Sequence, residues 1–387
     1  MNMLRTKIFK DFFESEKIGG FILISCTIIS LLVANSSIGF SYHHFWTSPV
    51  FGQTLEYWIN DGLMTIFFLL IGLELEREIY QGELSNKKDA LLPIFAALGG
   101  MLVPAGIYLF FNWETATQSG AGIPMATDIA FALGVLSLLG NRVPVSLKIF
   151  LTALAVIDDL GAILVIAFFY TKTILWTNLL IALALFIGLF ILGKYFKVRN
   201  LMPYLIGGVA MWYFMLHSGI HATITGVLLA FAIPFGKGEK KSTSYILQHA
   251  LHKPVAFVIL PIFALANTAI AVNGNIEEIL VATSSIGIAL GLIIGKPLGI
   301  FLLTLVAVKL RFCRLPEGLN WKTIVGVGFL GGVGFTMSIF ITLLAFENEM
   351  LISNAKLIIM LASLLAGSLG YVFLKIVLKN KPVDNNE

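Results

Sequence analysis

Long apolar stretches alternate with short polar ones along almost the whole chain. Twelve of them approach the roughly 20 apolar residues that cross the hydrocarbon core of a bilayer. Each predicts a membrane-spanning helix, because a single segment in lipid must satisfy its own backbone hydrogen bonds. In order, the twelve predicted spans cover about 18–36, 61–79, 91–111, 123–140, 146–170, 174–193, 202–217, 219–235, 255–272, 279–305, 324–346 and 355–377.

Composition supports this pattern. Of the 387 residues, 58% are hydrophobic and only 12% are charged, and the mean hydropathy is +0.90. Ordinary globular proteins carry about 25% charged residues, so we predict a polytopic membrane protein. The stretch 18–36 is too long for the apolar part of a signal peptide. No glycine-rich phosphate loop or arginine–aromatic pattern predicts nucleotide or nucleic-acid binding.

Basic residues concentrate on one side of the predicted spans. Twelve spans place both termini on the same side, and 23 of the 26 Lys and Arg residues then belong to that side. Lys172 and Lys356 belong to the opposite side, and Lys296 lies within a span. Because cytoplasmic loops carry the excess of Lys and Arg, the distribution predicts cytoplasmic N- and C-termini.

The loop 40–60, "FSYHHFWTSPVFGQTLEYWIN", contains many aromatic residues but no Lys or Arg. Extended segments on either side of its Ser-Pro turn would form a small external hairpin. An interfacial loop with a belt of aromatic side chains fits the pattern equally well.

Four ionisable side chains lie well inside predicted spans, namely Asp128, Asp158, Asp159 and Lys296. Each charge costs about 2.5–3.5 kcal/mol at the centre of a membrane helix, so such groups pair or face a wet cavity. A purely structural salt bridge is one interpretation of Lys296 with one aspartate. Three carboxylates against one lysine nevertheless leave a surplus of negative charge, which suits a cation or exchangeable protons.

Asp158 and Asp159 are adjacent, and neighbouring helical positions point about 100° apart. One side chain can therefore turn toward Lys296 while the other faces an aqueous funnel. A carboxylate holds either a proton or a hard cation, and this competition is a mechanism for exchange. Oxygen ligands favour Na⁺ or Li⁺ over soft metals.

Two predicted spans contain signals that interrupt a helix. The fourth opens with "GAGIPMATDIAF", and the eleventh carries "GVGFLGGVGFTMSIF", in which five glycines weaken a continuous helix. Interrupted segments in corresponding halves of a chain are typical of transporter sites near the membrane midplane. Close packing of helices through small residues is the alternative interpretation. If both helices break, Asp128 is placed to offset the partial positive charge of helix N-termini, and Lys296 the partial negative charge of C-termini.

At these residues the sequence resembles the bacterial NhaA-type sodium/proton antiporters. The resemblance covers nearly the whole chain, and its ordered segments make it specific. They are "INDGLMTIFFLLIGLELERE", "MATDIAFALGVLSLLG", "LTALAVIDDLGAI", "SGIHATITGVLLA", "LPIFALANTAI", "GKPLGIF" and "GGVGFTMSIF".

The resemblance implies an all-α membrane protein with about twelve helices, forming a single domain over 1–387. Inverted repeats would cover about 87–170 and 279–377, with spans 4 and 11 crossing. It also implies a bacterial inner membrane location, a homodimer formed through the hairpin at 40–60, and electrogenic exchange in which proton influx drives Na⁺ or Li⁺ efflux.

For the ion site, the resemblance implies that Asp159 is the principal cation and proton site. Asp158 takes part and pairs with Lys296, while Thr127 and Asp128 belong to the crossing, with Thr127 at the cation. No cofactor and no enzymatic activity are expected.

Further positions resemble the family's pH-response region at the cytoplasmic face. Glu74, Arg77 and Glu78 end the second span, although a solvated helix end fits them equally well. His221 aligns with a histidine linked to pH response, and its spacing from His217 would also suit a metal, but packed helix histidines are commoner. In "LQHALHKP" the family often has an acidic residue where this chain has Gln248, with His249 and His252 nearby. Because an amide does not titrate, pH control through position 248 is in doubt.

Two rival functions are weighed against exchange. A sodium-coupled carrier of a small organic solute would need further polar groups in its cavity, and the inner spans offer few. An intramembrane aspartyl protease would use a pair of aspartates, but its YD and GxGD motifs are absent from the sequence.

Overall fold

The computed structural model describes residues 2–171, 173–236, 239, 242–271 and 276–378, with the backbone alone for 2–17, 83, 87–89 and 141. Some basic residues used in the orientation prediction lie outside the described residues. They are Lys172 and those in most of the loop 236–242 and in the C-terminal tail. In chain order the α-helices are α1 Asn2–Ala34, α2 Gly39–Thr47, α3 Leu55–Trp58, α4 Met64–Gln81, α5 Lys87–Asn112, α6 Ile129–Ser137, α7 Val145–Phe169, α8 Trp176–Lys194, α9 Met202–Leu216, α10 Ile224–Ala232, α11 Thr243–Pro254, α12 Leu260–Asn267, α13 Ile276–Val281, α14 Thr283–Leu290, α15 Lys296–Lys309, α16 Trp321–Gly331, α17 Phe335–Ala345 and α18 Glu349–Leu378.

Several of these helices join through irregular turns into longer rods. π-helical turns at Ile59–Leu63, Val255–Ile259 and Gly291–Gly295 connect α3 to α4, α11 to α12 and α14 to α15. Shorter 3₁₀ turns occur at Glu83–Ser85 and Gly140–Arg142. The rods bury apolar side chains against one another and leave others, such as those of α8, exposed to the surroundings.

Length and composition mark eight helical segments of the described chain as able to cross a membrane, or up to ten if each of two bent pairs is one span. One bent pair is Ile18–Ala34 with α2, at 115°, and the other is α16 with α17, at 49°. The shorter helices α9 and α10 have 15 and 9 residues. The fold is therefore that of an all-helical membrane protein.

The predicted spans 4 and 11 each contain a break. A 3₁₀ turn over Gln118–Met125 is followed by extended backbone at Ala126 and Asp128 before α6 begins. In the other segment α16 ends at Gly331 and α17 begins at Phe335. The two breaks touch, because the backbone N–H of Asp128 donates to the carbonyl oxygen of Val333 at 2.6 Å.

The segment 40–60 is only partly extended. The helix α2 takes its first part, and strands β1 (Pro49–Val50) and β2 (Gln53–Thr54) then pair antiparallel. Phe51 and Gly52 have φ of 50° and 84°, as a two-residue type I′ hairpin turn requires. Beyond the hairpin, Glu56 forms an ion pair of 3.4 Å with the buried Lys356 of α18.

Two long helices approach most closely where both have a glycine. A side chain at Gly99 of α5 would overlap the backbone carbonyl of Gly299 in α15, and a side chain at Gly299 would overlap that of Gly99. Such small residues let membrane helices bring their backbones together. This contact holds Lys296, at the start of α15, against the rest of the protein.

We expect Gly99→Ala to lower the free energy of unfolding by about 1–3 kcal/mol, the usual range for overpacking a filled interface. Gly106→Ala is the matched control, because it lies on the same helix and a methyl group there meets no neighbouring atom within 4 Å. The measurement is thermal unfolding of both variants in detergent. Equal melting temperatures for the two would show that α5 and α15 do not pack through this pair.

Candidate functional site

The helix α7 places two carboxylates in the protein interior. Asp158 and Asp159 are 1% and 2% exposed, and the apolar residues around them in α7 are mostly buried as well. Because adjacent helical residues diverge by about 100°, the two side chains have different neighbours. The site is therefore built from two unlike carboxylates.

Asp158 forms the charged centre of a hydrogen-bonded network. Its Oδ2 atom forms an ion pair with the ammonium group of the fully buried Lys296. The same oxygen lies 2.6 Å from the hydroxyl of Thr127, which also accepts a hydrogen bond from Lys296 at 3.0 Å. One carboxylate oxygen, one ammonium and one hydroxyl are thus bonded to one another in the protein interior.

Thr127 links this network to the break between α16 and α17. Its hydroxyl lies 2.8 Å from the carbonyl oxygen of Gly331, the last residue of α16. The final carbonyls of a helix have no partner within the helix and carry partial negative charge. The hydroxyl therefore connects Lys296 with the C-terminal end of α16.

Asp128 caps two helices at once. Its Oδ1 accepts the backbone N–H of Phe131 at 3.0 Å and so caps α6. Its Oδ2 accepts the backbone N–H of Thr336 at 3.0 Å and the hydroxyl of Thr336 at 2.5 Å, in the first turn of α17. A carboxylate is stabilised at a helix N-terminus by the free N–H groups there, and this one serves two.

Two buried carboxylate oxygens have no hydrogen-bond partner among the described residues. They are Oδ1 of Asp158 and Oδ1 of Asp159. A buried acceptor without a partner is unfavourable unless something binds it. A proton or a hard cation satisfies such an oxygen, and carboxylate oxygens suit Na⁺ and Li⁺ chemically.

The residues that resemble a pH-response region do not form one cluster. Glu74, His252 and Gln248 lie together between α4 and α11, with the Glu74 carboxylate 4.0 Å from Nδ1 of His252 and the Gln248 side chain against Glu74. Arg77 lies over the ring of Tyr245, which stacks on His249. Glu78 follows Arg77 in the last turn of α4.

His221 lies at the end of α7. Its Nε2 is 2.9 Å from the carbonyl oxygen of Tyr170, just beyond the end of α7. His217 lies just past the end of α9, with Nδ1 2.8 Å from the Tyr213 carbonyl oxygen and its ring against that of Tyr213. The helical spacing of four that a shared metal would use is therefore not formed.

Comparison with known proteins identifies the family. A family model described as Na+/H+ antiporter 1 matches residues 10–374. The chain belongs to this antiporter family. It is 71% identical to the Na(+)/H(+) antiporter NhaA of Flavobacterium psychrophilum, over 98% of this chain and 99% of that protein. Identity is 62% to the protein of the same name from Cytophaga hutchinsonii, over 98% of both chains. It is 59% to that of Dechloromonas aromatica, over 97% of both chains.

The resemblance noted from the sequence is therefore confirmed. All three relatives are named as antiporters rather than enzymes.

Sequence reasoning missed several buried polar residues of this antiporter-family fold. Glu76 is 5% exposed and accepts a hydrogen bond from Ser244 of α11 at 3.2 Å. Thr336, the partner of Asp128, was not singled out, although it follows the glycine run of the eleventh span. Lys356 was considered only as a charge on the side opposite the termini, and it is 7% exposed. In the sequence, each of these residues is a polar side chain in or beside a long apolar run. That pattern does not indicate which residue it contacts.

We expect Lys296→Met to lower stability, because it leaves the buried Asp158 carboxylate without its counter-charge. Removing one partner of a buried pair costs about 3–5 kcal/mol in soluble proteins. The double variant Asp158→Asn/Lys296→Met removes both charges and should recover much of that loss. Thermal unfolding in detergent compares the variants, with Lys309→Met, an exposed position of the same helix, as the control. A double variant no more stable than Lys296→Met alone contradicts the pairing.

Proposed function

We propose that this chain exchanges cytoplasmic Na⁺ or Li⁺ for external protons through competition at Asp158 and Asp159. The observation that carries the proposal is the surplus of buried carboxylate: Lys296 pairs with Asp158, and each aspartate keeps an oxygen without a partner among the described residues. Membership of the antiporter family and the names of its relatives support the substrates. The alternative of a carrier for an organic solute has no such support.

Asp159 is the principal binding group in this proposal. It is buried, and its carboxylate accepts no hydrogen bond from the described residues. A cation or proton therefore does not have to displace another partner there. When the cation binds, Asp158 releases Lys296 and becomes a second ligand of the cation. The Thr127 hydroxyl supplies a neutral oxygen ligand. Binding of the cation and binding of protons then exclude one another. Exchange is electrogenic if more protons than cations occupy the same carboxylates in one cycle.

We infer further that the two interrupted segments cross and form the core of an inverted repeat. From 87 to 170 the order is a long helix, an interrupted segment and a long helix, and from 279 to 377 the order is the same. The bond between Asp128 and Val333 supports a direct contact of the two breaks. In the crossing, the negative charge of Asp128 offsets the partial positive charge at the N-terminal ends of α6 and α17. The positive charge of Lys296, linked through Thr127, offsets the partial negative charge at the C-terminal end of α16.

The membrane topology proposed here has twelve spans, in which α9 and α10 are short crossings and α2 belongs to the external segment 40–60. The Lys and Arg distribution supports cytoplasmic termini in a bacterial inner membrane. The hairpin at 49–54 then lies outside, where the exposed Phe51 and the unpaired strand edges are available to a second copy in a homodimer.

At the cytoplasmic face we propose that Glu74, Arg77, Glu78, Gln248, His249 and His252 line the mouth of the ion path and respond to pH. The contact between Glu74 and His252 supports this, because it joins α4 to α11 through two titratable groups. Gln248 contributes no titration of its own. His221 lies apart from this group, and any pH response it has acts at the end of α7.

The test is Asp159→Asn, which keeps the shape of the side chain and removes the charge. We expect the variant to fold and to lose sodium-driven proton movement, measured as dequenching of a pH dye in everted vesicles. Glu349→Gln makes the same chemical change at an exposed position and should leave exchange intact. Wild-type exchange by Asp159→Asn, at equal protein level, would refute the assignment.

A further inference from the structure

A cavity of about 620 Å³ lies away from the ion site, where the loop between α15 and α16 folds over the first turns of α7. Its walls come from three places: residues 92–93 of α5, residues 146–153 of α7, and the loop from Arg311 to Pro316. The ion-exchange mechanism uses none of these side chains. A cavity with walls from three elements is a candidate for binding a ligand that joins them.

The loop wall of the cavity is positively charged. Arg311 and Arg314 both line it and both are exposed, and neither belongs to any ion pair formed among the described residues. Burial raises the pKa of the Cys313 thiol between them, so that side chain stays neutral. Glu317, in the same loop, is not part of the lining. Two guanidinium groups without carboxylate partners favour an anion with several oxygens, such as a phosphate.

The α7 wall adds a second feature that favours an anion. Ser146, in the first turn of α7, lines the cavity. This 25-residue helix begins after Pro144 without a side-chain cap and without an acidic residue in its first turn. The N–H of Leu147 already donates to the carbonyl oxygen of Pro144 at 3.1 Å. The N–H groups of Val145 and Ser146 and the partial positive charge of the helix end remain for a negative group near Ser146.

The remaining wall is apolar. Leu92, Pro93, Ile149 and Phe150 lie along it, and the half-exposed ring of Phe312 stacks on Phe95 at 5.8 Å beside it. A free phosphate ion gains nothing from such a surface. A molecule with an anionic head and a hydrocarbon chain buries the chain there at about 0.8 kcal/mol per CH₂ group.

The position of the cavity along the membrane normal agrees with this chemistry. The loop 310–320 is on the side of the spans that carries 23 of the 26 Lys and Arg residues. In the orientation proposed above, that side faces the cytoplasmic leaflet, where anionic lipids give a negative surface potential. Basic pockets between membrane helices at this level suit lipid head groups.

We propose that this cavity binds an anionic phospholipid. The phosphate lies between Arg311, Arg314 and the N-terminal end of α7, and one acyl chain runs along Ile149 and Phe312. The lipid then ties α5, α7 and the α15–α16 loop together at one end of the helix that carries Asp158 and Asp159. Because a ligand that binds only the folded state stabilises it, the bound lipid raises the melting temperature.

The test titrates the purified, delipidated full-length protein in detergent with phosphatidylglycerol while thermal unfolding is followed. Phosphatidylcholine with the same acyl chains is the neutral comparison, and glycerol phosphate supplies the anionic head without chains. We expect phosphatidylglycerol to raise the melting temperature at concentrations at least tenfold below those at which either comparison acts. Arg311→Gln/Arg314→Gln should weaken that effect at least tenfold and leave the melting temperature without lipid unchanged.

The control variant Lys194→Gln/Lys375→Gln removes two exposed basic residues from other helices and should respond to phosphatidylglycerol as the wild type does. An equal loss in both double variants would mean that the effect is unspecific attraction to basic surface, and the proposal would be wrong. Glycerol phosphate acting as strongly as the lipid would also overturn it, since the apolar wall would then play no part. If the Arg311→Gln/Arg314→Gln protein does not fold, Ile149→Asp, which adds a negative charge to the cavity wall, must abolish the lipid effect.

Discussion

A charge in the interior of a bilayer must be paired or must reach water, and the arrangement around Asp158 and Lys296 answers this constraint. The hydrocarbon core offers no solvent to a carboxylate or an ammonium group. Lys296 compensates Asp158, and the Thr127 hydroxyl forms hydrogen bonds with both. Since this compensation uses the only lysine of the site among the described residues, Asp159 retains a charge that must be met by a proton or a cation. In this account, a fully neutralised site would be stable but would transport nothing.

The same constraint explains why the helices beside the site are broken. In an uninterrupted helix the backbone N–H and carbonyl groups bond to one another. A break leaves some of these groups without a partner at membrane depth. Asp128 takes up N–H groups from two helices, and the Thr127 hydroxyl reaches the carbonyl of Gly331. Each break is therefore stabilised by a side chain or backbone group from the other segment. Movement of one segment changes the surroundings of the other and of the carboxylates between them, which is what alternating access to one site needs.

Several features were predictable because their signals are local in the sequence. Charged residues inside apolar runs predicted Asp128, Asp158, Asp159 and Lys296 as groups inside the protein, and all four are buried. Gly and Pro lie where the backbone is irregular before α6 and between α16 and α17. Partners distant in the sequence were not predictable from pattern. Thr336 meets Asp128 from 208 residues away and Ser244 meets Glu76 from 168, because packing decides which polar groups meet. The helix α2 was also beyond a hydropathy pattern, since the bend of 115° between Ile18–Ala34 and α2 changes direction without changing composition. The contact of His221 with the carbonyl oxygen of Tyr170, 51 residues away in the sequence, was likewise not predictable from pattern.

Competition at shared carboxylates is tested most directly by counting the protons that leave when sodium binds. Titration calorimetry of the purified protein, repeated at one pH in buffers of different ionisation enthalpy, gives that number without transport or a membrane potential. Competition predicts net proton release on sodium binding wherever the Asp158/Asp159 pair carries protons. The release should fall toward zero as pH rises, and the sodium affinity should increase in step. Sodium binding with an affinity independent of pH and without proton release would contradict it, and would place the cation at a site separate from the proton.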